Sequence, residues 1–204
     1  MKRLISEAQQ EYFYEYCKQY IDNHCIWRSE NGERIPGKIP GTFYTWQFYM
    51  RRGLFNPVFA TAMSLLYLQK IQDEIGHFDF QIAGLETAST PVIVSLCLTA
   101  YDQGINLNAF SVRKERKEYG LRNWFEGIPN NLPVMLCDDL CNSQNSMAKA
   151  KHIVESNGLK VMDTAFAVVN KRNSPTGKDF NLPQHMNVIS LFNLDDFNLV
   201  YHDH

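Results

Sequence analysis

The stretch Val134-Met135-Leu136-Cys137-Asp138-Asp139-Leu140-Cys141-Asn142-Ser143-Gln144-Asn145-Ser146 decides how this chain is read. Pro133 to Cys137 is a short apolar strand. Two adjacent carboxylates follow, then a polar turn, then a helix over Ser146 to Asn157. That helix carries Met147, Ala150, Ile153 and Val154 on one face and Lys149, Lys151 and Glu155 on the other. Gly158 closes it. Two carboxylates at the end of a buried strand are costly unless something pairs with them. Along a regular strand they face opposite ways, so the expectation is that the strand ends before them and the chain turns. There both can accept hydrogen bonds from a vicinal diol, such as a ribose, and stabilise positive charge developing on the sugar. The polar turn leads into a helix N-terminus, whose free N–H groups and dipole suit a phosphate. The segment thus reads as a site for a phosphorylated sugar. The plainer reading is a pair of acids that caps a loop or a helix.

Outward from this segment the pattern alternates. Val161 to Val169 and Val188 to Leu191 read as strands. Upstream, Phe78 to Ala83 is a strand ending at Gly84, Pro91 to Ala100 a buried helix, and Leu107 to Val112 another strand. Asn56-Pro57 starts a helix that runs through Met63, Leu66 and Ile71 to Gly76. The N-terminal part holds an amphipathic helix over Leu4 to Tyr20, a turn at Asn31-Gly32 and an aromatic strand-like run from Thr42 to Tyr49. Alternating strands and helices predict an α/β fold, a mainly parallel twisted sheet flanked by helices, with a small N-terminal helix and strand hood. Ligands of such sheets bind beyond the carboxyl ends of the strands. We expect one domain over 1–204, with a hood over 1–55 and a core over 56–204 that carries a flexible loop at 113–131.

The 204 residues are 45% hydrophobic and 21% charged, with net charge −2. These values fit a soluble globular chain and give no overall signature of nucleic-acid binding. No apolar run approaches the roughly 18 residues of a membrane span, and Met1 to Gln10 lacks the apolar core of a signal peptide. The expectation is a cytoplasmic protein with no nucleic-acid or membrane partner. Cys17, Cys25, Cys97, Cys137 and Cys141 are an odd number at irregular spacing, which argues against a disulfide framework. Cys137 and Cys141 lack the second ligand pair of a zinc site and read as small buried hydrophobes.

The run Arg113-Lys114-Glu115-Arg116-Lys117-Glu118-Tyr119-Gly120 places four cations within five positions at the end of a strand. Such a run is usually a solvated face. Here it leaves the same sheet edge as the acidic pair and opens a stretch of nearly twenty residues without a clear element. Long loops of this kind are often lids. Cations on a lid can neutralise a departing pyrophosphate and exclude water from a reactive sugar.

The window around Asp138-Asp139 resembles the phosphoribosyl pyrophosphate motif of type I phosphoribosyltransferases: four apolar strand residues, two acids, then a loop for the 5′-phosphate. Arg113, Lys114, Glu115, Lys117 and Gly120 reproduce the Arg-Lys-Glu-x-Lys-x-x-Gly signature of orotate phosphoribosyltransferases. Phe125-Glu126-Gly127 resembles that family's return from its loop. Ile82 to Pro91 looks like its pyrophosphate loop, and Thr42 to Arg52 its base-pocket strand, where Phe43, Tyr44, Trp46 and Phe48 are either stacking surface or core. The departures are Asn142 and Asn145 for threonine, Gln144 for glycine, Tyr119 for histidine, and Ala88 and Ser89 where glycine and lysine are usual.

The resemblance implies the type I phosphoribosyltransferase fold and transfer of a phosphoribosyl group from phosphoribosyl pyrophosphate to orotate or a related base. It implies Lys117, Asp138 and Asp139 as catalytic residues. Substrate binding falls to Arg113, Lys114, Thr87, Ala88, Asn142, Ser143, Gln144, Asn145 and Ser146. It further implies Mg²⁺, reached by Asp138 and Asp139 indirectly through ribose or water, and a homodimer in which the loop enters the neighbouring site. The alternatives are a regulatory protein that binds nucleotide or phosphoribosyl pyrophosphate without turnover, and an enzyme acting on another base.

Overall fold

The computed structural model describes residues 3–36, 43–116, 123–171 and 186–199. Helix α1 (Glu7–Tyr20) opens the chain. Its start is fixed by Ser6, whose hydroxyl accepts the Gln9 N–H while the Gln9 side chain accepts the Ser6 N–H, a reciprocal cap that satisfies two otherwise orphaned donors. A π-helical segment (Ile21–Cys25) leads into β1 (Ile26–Arg28). Then come β2 (Ile35–Pro36), β3 (Phe43–Tyr44) and β4 (Trp46–Phe48). The expected aromatic strand is therefore two short pieces. β1 pairs with β4 and β2 with β3, both antiparallel. Trp46 and Phe48 are buried in the core, whereas Phe43 is exposed.

A short α2 (Arg51–Leu54) precedes α3 (Pro57–Glu74), which starts as the sequence predicts: Asn56 accepts the Phe59 N–H at 3.1 Å and Pro57 takes the first turn. The remaining elements are β5 (Gln81–Leu85), α4 (Thr90–Asp102), β6 (Ala109–Val112), β7 (Phe125–Glu126), β8 (Val134–Cys141), α5 (Asn145–Ser156), β9 (Thr164–Asn170) and β10 (Asn187–Asn193). β5 to β10 form a six-stranded sheet in the order β10-β9-β8-β5-β6-β7, parallel except for β7. This is the expected α/β sheet, with the small N-terminal strand pairs added.

Successive residues of each strand point to opposite faces, and two apolar layers result. Ile82, Met135 and Phe166 face the layer that holds α1, α3 and α4. Ala83, Leu136 and Ala167 face the layer that holds α5. Each layer is a cluster of buried apolar side chains, and close-packed layers of this kind make the strand ends they support rigid platforms for a site. The foot of the long loop is fixed by Gln81. Its amide donates to the carbonyls of Asn130 and Leu132, both at 2.8 Å, and accepts from Asn130 N–H at 2.9 Å and the Asn108 amide at 3.0 Å. A fully buried amide so completely partnered holds its loop in one position. Among the described residues no helix is long and apolar enough to cross a membrane.

Candidate active site

The acidic pair lies inside a strand, not past its end. β8 continues through Asp138 and Asp139 to Cys141 because its ladder to β9 continues, with Asp138 opposite Ala167 and Leu140 opposite Val169. This corrects the expectation that the strand stops at Cys137. On the other side β8 pairs with β5 only as far as Leu136 opposite Ala83. Beyond that point β8 no longer pairs with β5, and Asp138 and Asp139 are paired on the β9 side alone. Alternation also slips at the pair. Cys137 and Leu140, three residues apart, both pack into the layer of α3. Hence two neighbours on a strand can share a hydrogen bond between their carboxyls. Asp138 also accepts the Asp139 backbone N–H at 3.0 Å.

Burial pushes the Asp138 carboxyl well above the usual carboxylate range, and repulsion from Asp139 adds to this. Burial raises Asp139 too, against the pull of its hydrogen bond from Asp138 and the charge of Arg51. Two carboxyls this close titrate as a coupled pair. The Lys114 ammonium pulls the other way on Asp138, so the basic loop reaches the acidic pair electrostatically.

Gly84 makes a close approach of these elements possible. A side chain there would begin 2.4 Å from the Cys137 carbonyl and 2.4 Å from Ser89. β5, β8 and the start of α4 therefore meet at a point only glycine fits. Ser89 is fully buried and donates to the Leu85 carbonyl at 2.7 Å. It holds the turn carrying Thr87 and Ala88, which lies at the same sheet edge.

Across the edge, Glu86 joins the turn after β5 to the start of the basic loop. It accepts the Lys114 backbone N–H at 3.1 Å and lies 3.9 Å from the Arg113 guanidinium. Arg113 also donates to Glu126 on β7 at 2.6 Å. β7 is a strand within what reads as an open loop, and it aligns Glu126 with Ser111 of β6. Arg113 is thus held by two carboxylates, while the neighbouring Lys114 is exposed. Lys117 lies outside the described residues, as does Tyr119.

The turn from Asn142 to Ser146 leads into α5 with no side-chain cap. Asn145 and Ser146 are exposed, and the Asn145 N–H reaches the Ser143 hydroxyl at 3.4 Å. The Asn142 side-chain oxygen is buried without a partner among the described residues. A bound hydroxyl would satisfy such an acceptor. Gln144 occupies the left-handed region at φ 59°, ψ 7°, at a cost of about 1–2 kcal/mol for a residue with a side chain. Its side chain does not fill the turn. It is buried, 5% exposed, and engages the backbone of Met186, accepting the N–H at 3.1 Å and donating to the carbonyl at 3.2 Å.

Lys171 carried no signal in the sequence. Its backbone N–H bonds the Cys141 carbonyl at 2.9 Å, which sets it beside the turn that starts at Asn142. Its ammonium lies over Trp46, 4.9 Å from the ring centroid, and burial pulls its pKa down to about 8. A desolvated lysine at the carboxyl end of a parallel strand is a common feature of ligand sites, but only the fold brings it there.

These features meet at one sheet edge: an acidic pair, an uncapped helix start and a basic corner. Together with the strand order they define the type I phosphoribosyltransferase fold. Two structures of the Mycobacterium tuberculosis orotate phosphoribosyltransferase share it. One holds Fe(III) dicitrate (TM-score 0.70, 19% identity) and one holds 5-phospho-α-D-ribosyl 1-diphosphate (TM-score 0.66, 17% identity). Each match covers 92% of this chain and 99% of that one. In sequence, the orotate phosphoribosyltransferase of Bradyrhizobium diazoefficiens is 28% identical over 120 residues, which are 56% of this chain and 63% of that protein. No family model matches the chain. By sequence and structure together, the chain is a relative of the orotate phosphoribosyltransferases.

Proposed function

We propose that this protein transfers a phosphoribosyl group from phosphoribosyl pyrophosphate to orotate or a related base and releases pyrophosphate. What supports the reading is geometry: Glu86, just after β5, accepts the Lys114 N–H at 3.1 Å, and two residues earlier Gly84 lies against the Cys137 carbonyl that precedes Asp138. In the reaction the bond from the anomeric carbon to the pyrophosphate oxygen breaks as a bond to the base nitrogen forms. Positive charge builds on the ribose ring between these events. Asp138 and Asp139 accept hydrogen bonds from the ribose diol and stabilise that charge. The start of α5, with Ser143, Asn145 and Ser146, receives the 5′-phosphate. Lys114, Lys117 and the turn at Thr87 and Ala88 receive the pyrophosphate, and Arg113 joins them when its carboxylates release it. Catalysis is chiefly positioning and electrostatics.

The donor set fits Mg²⁺. Asp138 and Asp139 offer hard oxygens, and among the described residues no three metal-ligating side chains gather into a cage. An ion that keeps several waters and arrives on a diphosphate needs few protein ligands. When bound it would supply charge neutralisation at the pyrophosphate, with Asp138 and Asp139 reaching it through ribose or water.

A homodimer is part of this proposal. Phe55, Val94 and Leu98 are exposed and line a groove of about 610 Å³ between α3 and α4. Exposed apolar side chains along a groove suit a second copy. Gel filtration of the Leu98→Asp variant, eluting as a monomer where the wild type elutes as a dimer, tests it.

A regulatory binder on the same fold is the second reading. The clamping of Arg113 between Glu86 and Glu126 favours it, since that cation is already neutralised. Calorimetry separates the two. We expect phosphoribosyl pyrophosphate to bind in the presence of Mg²⁺, and added orotate to give continuing heat from turnover. Binding without turnover supports the regulatory reading, and absence of binding contradicts both.

A further inference from the structure

We infer that Gln144 is a positioning residue for the 5′-phosphate, holding the phosphate turn in shape by clasping the backbone of Met186. The inference rests on the reading of the turn given under Proposed function. Three observations lead to it. Gln144 is the last residue before α5 and stands in the left-handed region, where its own side chain makes the conformation costly. That side chain is almost fully buried and meets Met186 with both halves of its amide, donor to carbonyl and acceptor to N–H. The two residues are 42 positions apart, so the clasp ties the turn after β8 to the residue that precedes β10.

The geometry has a direct consequence. A glycine at this position adopts the backbone conformation freely but leaves the turn to be ordered by the ligand. Gln144 reaches the same conformation and fixes it beforehand, because its amide makes two buried hydrogen bonds to the Met186 backbone. The helix N–H groups that follow, from Asn145 onward, are then aimed before the phosphate arrives. Ordering the turn in advance lowers the entropic cost of binding. The side chain that occupies the glycine position is directed into the protein and leaves the anion's place clear.

The test uses the 204-residue chain and three variants: Gln144→Gly, Gln144→Ala and Gln144→Glu. Gly relieves the backbone but removes the clasp. Ala removes the clasp and keeps the strain. Glu keeps the shape and the acceptor but sets a carboxylate against the Met186 carbonyl. Ribose 5-phosphate is the probe in calorimetry, so that no turnover is needed. All three variants should weaken its binding by about tenfold, the loss expected when two buried hydrogen bonds are broken or opposed. With phosphoribosyl pyrophosphate and orotate, KM for the former should rise by a similar factor while kcat changes by less than about threefold. Exchange of the Met186 amide should be slow in the wild type and fast in the Gly variant, a readout independent of activity. Folded Gly and Ala variants that bind ribose 5-phosphate as the wild type does overturn the inference alone. Tighter binding by the Gly variant also overturns it, since glutamine would then be a tolerated obstacle. A wild type that fails to bind ribose 5-phosphate sinks the reading of the whole site, and the inference with it.

Discussion

Asp138 accepts a hydrogen bond from the backbone N–H of Asp139 at 3.0 Å, and the two side chains share a further hydrogen bond. A buried strand holds two acids side by side and raises the pKa of each, Asp138 the more. Such an arrangement destabilises the ligand-free protein. It is the kind of local cost that stays where function needs it.

The pH dependence of stability follows from the sign of this shift. The folded pKa of Asp138 lies above the unfolded one of about 3.9. The folded state therefore binds more protons between the two values, and the wild type loses stability as pH rises through that window. Asp138→Asn removes the titration. At pH 7.5 the variant should be more stable than the wild type by on the order of 1 kcal/mol, and the difference should vanish toward pH 4. Denaturant unfolding at both pH values checks this; equal stability at both contradicts it.

Gly84 sets the distance between β5 and β8. A methyl group there meets the Cys137 carbonyl at 2.4 Å, and a backbone atom in a central strand cannot swing aside as a flexible side chain does. Gly84→Ala should cost about 1–3 kcal/mol through overpacking and lower the unfolding midpoint by several degrees. Thermal unfolding measures it, and an unchanged midpoint counts against the tight crossing.

Lys171 is a desolvated cation beside Trp46. Its pKa of about 8 lies below the unfolded value of about 10.4. Charged Lys171 thus burdens the fold at neutral pH, and that burden fades as pH rises from about 8 to 10.4. Lys171→Met should stabilise the protein at pH 7, and the gain should fade as pH rises toward about 10. Denaturant unfolding at both pH values checks this, and a variant no more stable than the wild type at pH 7 contradicts it.

The sequence carried the sheet further than it carried the site. Apolar runs such as Val161 to Val169 mark a strand by composition alone, and Asn56-Pro57 marks a helix start by its chemistry. The extent of β8 was not legible, because two aspartates end an apolar run, whereas the ladder to Ala167 and Val169 does not depend on their side chains. β7 was hidden for a similar reason: two residues carry no period, and only pairing with Ser111 and Val112 makes Phe125 and Glu126 a strand. Within the site, the acids and the basic run were visible as local clusters. The clasp of Gln144 on Met186, the hold of Glu86 and Glu126 on Arg113 and the burial of Lys171 against Trp46 each join distant positions. No local pattern encodes them.

The central claim is phosphoribosyl transfer at the acidic pair. Its most direct measurement is the formation of orotidine 5′-monophosphate from orotate, phosphoribosyl pyrophosphate and Mg²⁺, compared with the Asp138→Asn/Asp139→Asn variant. The wild type should form the nucleotide with release of equimolar pyrophosphate, and the double variant should be slower by at least about a hundredfold. Equal rates in the two proteins, or no nucleotide from a wild type that binds both substrates, would contradict it.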